Sequence, residues 1–204
     1  MATDPSIILA DEPTGNLDSR SADNVLSLFE KLASEGKTIL IVTHDPSITQ
    51  RTDQTIILSD GEIIDQAVAR ALPFLSHPQM LEVTKQANKK EFAPSTTIIR
   101  QGESVEYFFM VEAGQVEIVV DHNLSNEMSL ACLGTGQFFG EIELTQKRES
   151  IASVRAASRG AKVALLSKSE FYKLIDGSPL TRNAIQEVAT TRLAENQRRR
   201  KTDR

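Results

Sequence analysis

Ile7-Ile8-Leu9-Ala10-Asp11-Glu12-Pro13-Thr14-Gly15-Asn16-Leu17-Asp18 is the stretch from which the chain's architecture is read. Ser6 to Ala10 is a short, continuous apolar run, the pattern of a parallel strand buried on both faces, and it ends on two adjacent carboxylates. An amphipathic helix comes next. Ala22, Val25, Leu26, Phe29, Leu32 and Ala33 recur at three- and four-residue spacing, Asp18 or Ser19 can cap the start, and Gly36 can end it. Thr38 to Val42 reads as a second buried strand, so strand, helix and strand predict a right-handed crossover of the α/β class. Ile56 to Leu58 and Glu62 to Ile64, joined by Ser59-Asp60-Gly61, predict a terminal hairpin.

Working outward, residues 67–90 keep a helical pattern interrupted by Pro73 and Pro78, which predicts short connecting helices. Then the composition changes. From Phe92 to Ser167, Gly102, Gly114, Gly134, Gly136, Gly140 and Gly160 punctuate short β-type runs, the spacing of a small antiparallel barrel or jelly roll. Ser169 to Asp176 and Pro179 to Asn196 read as closing helices. The expected divisions are 1–66, 67–90, 91–197 and a basic tail, 198–204.

The 204 residues are 40% apolar and 25% charged, which suits a chain able to bury a core. A net charge of −5 argues against a broad nucleic-acid-binding surface. Cys132 stands alone within the apolar run Leu130 to Leu133 and reads as a buried, inert thiol in a reducing compartment. No stretch approaches the roughly 18 apolar residues that span a bilayer, so the expected location is cytoplasmic, with any membrane association made through a partner.

The opening stretch resembles the Walker B strand and D-loop of ABC ATPases, particularly the lipoprotein-release and macrolide-export group. Ile41-Val42-Thr43-His44-Asp45 resembles the switch loop of the same family. The resemblance implies that Asp11 holds Mg²⁺, that Glu12 polarises the water attacking the γ-phosphate, that His44 contacts that phosphate, and that Asp18 faces a partner subunit. Taken singly, each feature has a plain explanation: two acids at a sheet edge or a histidine beyond a strand are often structural. Their order within 45 residues favours the family.

The phosphate cradle of that family is missing from these 204 residues. No G-x-x-x-x-G-K-[ST] loop and no Leu-Ser-Gly-Gly-Gln-like signature occurs, so Mg-ATP would lack most of its binding contacts. The resemblance covers only the closing part of such an ATPase domain. A truncated gene, an expressed fragment or a misplaced start codon is the expectation it raises.

From Glu91 to about Asn196 the chain resembles cyclic-nucleotide-binding domains of the catabolite-activator kind. Phe92-Ala93-Pro94, Ile98-Ile99-Arg100-Gln101-Gly102-Glu103 and Tyr107 to Gly114 carry the likeness. Gly136-Gln137-Phe138-Phe139-Gly140-Glu141-Ile142-Glu143-Leu144 and Ile151 to Ala156 carry it most strongly. The resemblance implies a pocket of Gly140, Glu141, Ile142, Arg148, Ser150 and Ala152 that takes cyclic AMP or cyclic GMP, with Glu141 on the ribose hydroxyl. It also departs from the family. Ser150 occupies the position where the family pairs an arginine with the phosphate, Arg148 lies two residues early, and Glu143 adds an acid. Loss of such an arginine contact, worth about 1.5–3 kcal/mol, would cost about tenfold to a hundredfold in affinity.

Only eight residues come after Asn196, too few for the helix-turn-helix of a DNA-binding activator. Arg198-Arg199-Arg200-Lys201 reads as a solvated helix end. Ile185, Val188, Ala189 and Leu193 form a stripe that can pack on the barrel or pair two copies. The expected fold is an α/β fragment with parallel strands of a P-loop NTPase sheet, followed by an α+β domain with an antiparallel β-roll or jelly roll flanked by helices. The expected function is part of an ABC-transporter ATP-binding subunit with a regulatory domain, partnered by a membrane permease and a second ATPase subunit. A stand-alone cyclic-nucleotide regulator and a non-functional truncated product are the alternatives.

Overall fold

The computed structural model describes residues 4–120 and 127–202, and the chain divides into two compact units between Thr55 and Ile56. In the first, β1 (Ile7–Asp11) pairs in parallel with β2 (Thr38–Val42), Ile7 facing Thr38 and Asp11 facing Val42. The crossover is α1 (Ser19–Ser34), which packs on β2. Asp18 caps α1: its carboxylate accepts the N–H groups of Arg20 and Ser21, both at 3.1 Å. Gly36, at φ +89°, lies just past the last turn. A 3₁₀ turn at Pro46–Arg51 then brings Arg51 back to Asp23 and Glu30 of α1, each at 2.6 Å.

The expectation that both strands are buried on both faces is corrected here. Exposure alternates along each strand, and Ile7, Leu9, Leu40 and Val42 are all more than half exposed. Within this unit the helix covers one face of the pair, and the pleat sends every second side chain to the other face.

The second unit opens with the hairpin β3 (Ile57–Ser59) and β4 (Glu62–Ile64), turned by Asp60 at φ +51° and Gly61 at φ +77°. The hairpin packs on α3 (His77–Gln86), so it groups with the second unit and not with the strands of the first. Ahead of α3 lies α2 (Gln66–Ala71). Pro73 falls between these helices, whereas Pro78 sits in the first turn of α3, where a missing N–H costs nothing. Both helices are built into the core: Val68, Leu72, Met80 and Val83 are buried in one cluster with Phe108, Val111 and Phe171.

The sheet is antiparallel throughout, in the order β5 (Asn88–Phe92), β10 (Ser153–Ser167), β7 (Tyr107–Val120), β8 (Met128–Gly134). Two short strands branch from it: β6 (Thr97–Ile99) pairs with β10, and β9 (Phe138–Phe139) pairs with β7. Gly114 and Gly160 mark a close approach of the long strands β7 and β10, since a Cβ on Gly114 would lie 2.3 Å from the Gly160 carbonyl oxygen. Three helices complete the unit: α4 (Glu141–Gln146), α5 (Lys168–Gly177) and α6 (Pro179–Thr202). Stacked Phe108–Phe171 and Phe109–Phe139 pairs, with ring centroids 5.0 and 4.6 Å apart, fill the core.

Two further sequence expectations change. Cys132 is exposed: the pairing of β8 with β7 shifts register between Ile118 and Val119, leaving Leu130 as a bulge, so Leu130 and Leu133, three residues apart, both turn inward and Cys132 turns outward. The basic run from Arg198 continues the backbone of α6 through Thr202; the side chains from Arg199 onward lie outside the described residues, as do residues 203–204.

Candidate functional site

In the first unit, β1 delivers Asp11 and Glu12 to its carboxyl end and β2 delivers Thr43 and His44 beside them. Glu12 has φ +44° and donates its N–H to the Val42 carbonyl at 2.9 Å, which turns its side chain toward the end of β2. Its Oε2 accepts the Thr43 hydroxyl at 3.1 Å. Its Oε1 accepts the His44 N–H at 3.1 Å and lies 2.8 Å from His44 Nδ1. This bond to His44 holds the Glu12 carboxyl below its ordinary value, and the same bond raises the His44 imidazole. Asp11 is exposed at the strand end. Asp18 is occupied as the cap of α1, and the Ser21 hydroxyl, at 2.7 Å, leads the lowering of its pKa.

The structure thus joins Glu12 to His44, keeps Asp11 next to them, and gives Asp18 a structural task. Among the described residues, no three His, Cys, Asp or Glu side chains are grouped to hold a metal ion. Both oxygens of Glu12 are engaged and the 204 residues hold no phosphate loop, so these residues do not by themselves fit Mg-ATP.

In the second unit, a cavity of about 230 Å³ lies between the sheet, α4 and α6. Gly140 opens it. Its φ of +86° starts α4, and a Cβ there would lie 2.8 Å from the Tyr107 carbonyl oxygen. The cavity is lined by Gly140, Glu141, Ile142, Ser150 and Ala152, as the sequence placed them together, and also by Glu143 and Ile151. Arg148 is not there. Lys147, at φ +52°, ends α4 in a left-handed turn, after which Arg148 is exposed and donates to Gln146 at 3.3 Å.

Glu141 is 1% exposed, and Arg192 of α6 donates to its Oε1 at 2.8 Å. The same guanidinium donates to the Phe138 carbonyl at 2.7 Å and sits 5.1 Å over the Phe138 ring. Burial pushes the Glu141 carboxyl above its ordinary value; Arg192 opposes that shift and Glu143 adds to it. The Ser150 hydroxyl faces two acceptors, Glu143 Oε1 at 3.2 Å and the Ala152 carbonyl at 2.7 Å.

Reading the sequence missed Arg192, Glu195 and Asn196, which α6 brings to the cavity. The signal for Arg192 was available. It lies seven residues after Ile185 and three after Ala189, on the same helical face as that apolar stripe.

Residues 89–178 match the family model described as the cyclic nucleotide-binding domain. The second unit is built around a cyclic nucleotide-binding domain. Solved structures share its fold. The Thermus thermophilus catabolite activator protein aligns with TM-score 0.56 and 22% identity over 65% of this chain and 62% of that one. The regulatory subunit of a cAMP-independent protein kinase A from Trypanosoma cruzi, bound to guanosine, aligns with TM-score 0.55 and 22% identity over 62% and 44%. A variant of the Trypanosoma brucei counterpart, bound to cAMP in its A site, aligns with TM-score 0.52 and 24% identity over 63% and 49%. That variant replaces a glutamate by alanine, a threonine seven residues later by arginine, and the adjoining valine by alanine.

Over part of its length the chain is homologous to ABC transporter ATP-binding proteins. It is 47% identical over 64 residues to YvrO of Bacillus subtilis, which is 31% of this chain and 28% of that protein. It is 33% identical over 161 residues to the macrolide export ATP-binding/permease protein MacB of Mannheimia succiniciproducens, 79% of this chain and 21% of that protein. The chain therefore spans under a third of the curated relatives it matches. No helix among the described residues is long and apolar enough to cross a membrane.

Proposed function

We propose that this chain belongs to an ABC-type ATP-binding subunit and serves it as a small-molecule sensor, the cyclic nucleotide-binding domain biasing an ATPase cycle that these 204 residues do not perform alone. Its partners on this reading are a second ATPase subunit and a membrane permease, at the cytoplasmic face. Asp11, Glu12 and His44 are the remnants of the hydrolytic machinery, and they would act only where a phosphate loop is supplied.

The observation that carries the reading is the placement of Arg192. It lines the ligand cavity, and it also lines a groove of about 270 Å³ against Arg70, Leu72 and Phe74 of the connector. A ligand that competes for Glu141 would free the Arg192 guanidinium that forms part of that groove, giving the cavity a physical link to the connector.

Cyclic AMP and cyclic GMP are poor candidates for that ligand. Glu143, Ser150 and Ile151 repeat the spacing of the glutamate, threonine and valine that were replaced in the cAMP-bound trypanosomal variant of a cAMP-independent protein. Here, as there, the position seven residues after the glutamate lacks an arginine. A Mg²⁺-ATP turnover assay on the purified chain tests the ATPase part of the reading. No turnover is expected, and turnover that Glu12→Gln abolishes would overturn it.

A further inference from the structure

Carboxylates dominate the charged lining of the cavity beside α4. Its charged lining is Glu141, Glu143 and Glu195 against one guanidinium, Arg192, a net of −2, and that guanidinium already donates to Glu141 and to the Phe138 carbonyl. The Ser150 hydroxyl has one proton for two acceptors. Glu141 and Glu143 are both more than nine-tenths buried, so water screens them weakly. An anion entering this field must shed its own hydration without gaining a cation, and that is costly.

A neutral molecule carrying hydroxyl or amino donors meets no such opposition and can donate to the carboxylates. Ile118, Leu130 and Leu133 make much of the remaining lining, a surface suited to a flat heterocycle. The volume of about 230 Å³ lies below the usual range of about 300–1,000 Å³ for drug-sized ligands, which favours a small occupant.

We propose that the cavity binds an uncharged nucleoside, its hydroxyls donating to Glu141 and Glu143 and its base lying on the aliphatic wall, and that it discriminates against cyclic nucleotides. The inference rests on reading the domain as a ligand sensor. The donors offered to Glu141 take the place of Arg192, so binding and the release of α6 from that carboxylate are one event.

Calorimetric titration of the full chain with adenosine, guanosine, cyclic AMP and cyclic GMP tests this. Wild type should bind at least one nucleoside, with cyclic nucleotides at least about tenfold weaker. The double variant Glu143→Ala/Ser150→Arg should gain about tenfold to a hundredfold for cyclic nucleotides, the worth of one guanidinium–phosphate contact. Glu141→Gln keeps the side chain's shape and should weaken nucleoside binding about tenfold. Cyclic nucleotides binding wild type as tightly as nucleosides would overturn the ligand class while leaving the sensor reading intact, as would nucleoside silence in wild type with cyclic-nucleotide binding by the double variant. Silence from both proteins toward all four compounds would overturn the sensor reading as well.

Discussion

Arg192 and Glu141, 51 residues apart in sequence, meet at 2.8 Å across the cavity, the carboxylate 2% exposed and the guanidinium 19% exposed. Removing one member of such a pair leaves a buried charge uncompensated. Arg192→Ala should therefore cost about 3 kcal/mol, the lower end of the range for broken buried pairs because the guanidinium reaches solvent. Urea unfolding near neutral pH measures it. The loss should be pH-dependent: a carboxyl whose folded pKa lies above 4.5 favours folding most below that value, and its contribution falls as pH rises through the folded pKa. Arg192→Ala removes the group opposing the shift, so variant and wild type should be closer in stability at about pH 4 than at about pH 8. Equal losses at both pH values would show that the contact acts through packing alone.

Gly114 and Gly102 separate backbone freedom from space. Both have positive φ, +74° and +85°, so alanine at either is strained by about 1–2 kcal/mol. At Gly102 a Cβ meets nothing within 4 Å, whereas at Gly114 it would lie 2.3 Å from the carbonyl oxygen of Gly160. Gly114→Ala should therefore destabilise the second unit by at least about 2 kcal/mol more than Gly102→Ala, because backbone must move. Thermal melts of the two variants, with the domain's near-UV signal as readout, decide it; matched midpoints would mean that β7 and β10 separate there at little cost.

Much of this architecture was legible in the sequence because local chemistry and fold agree. The crossover of β1, α1 and β2, the Asp60-Gly61 turn and the glycine-punctuated roll each arise from a period or a turn residue within a few positions. What escaped was set at long range. Whether the outer face of β1 and β2 is covered depends on neighbours that a period cannot name, so Leu9 and Val42 were read as buried and stand exposed. Cys132 was misread because a bulge at Leu130, set by the pairing of β8 with β7, breaks the alternation that would otherwise place Leu130 and Cys132 on one face. Arg192 escaped because a cation on an apolar helical stripe acquires meaning only when Glu141 lies opposite it. In the first unit the resemblance implied only that Glu12 and His44 serve one phosphate, and their direct contact came from the structure, whereas Asp18 as a cap needed only the residues after it.

The Glu12–His44 contact should be visible as a coupled titration. Its imidazole pKa is raised from 6.5 chiefly by the bond to Glu12, and the Glu12 carboxyl is lowered from 4.5 by the same bond. The charged pair is thus complete between those two values, and it is lost below as Glu12 protonates and above as His44 deprotonates. In Glu12→Gln, the His44 ring signals should titrate closer to about 6.5 by proton NMR. An unmoved His44 midpoint would mean that the contact is not populated in solution.

The two units should differ in resistance to local opening. Among the described residues up to Thr55, Ile48 is the sole buried apolar side chain, while residues 56–202 hold an extensive aromatic and aliphatic core. Each fully buried large apolar side chain contributes about 1.5–3 kcal/mol, so a pair of strands with Ile7, Leu9, Leu40 and Val42 exposed gains little of that term. The ladder between β1 and β2 is consequently held mainly by its hydrogen bonds and one helix face. In hydrogen exchange of the intact chain, amides of Ile7–Asp11 and Thr38–Val42 should exchange at least a hundredfold faster than those of β7 and β10, corresponding to about 2.7 kcal/mol less opening free energy. Leu9→Lys tests the cause. A charge on a solvated face should leave that exchange unchanged, whereas faster exchange throughout the first unit would mean that the Leu9 side chain packs against a surface that stabilises the pair.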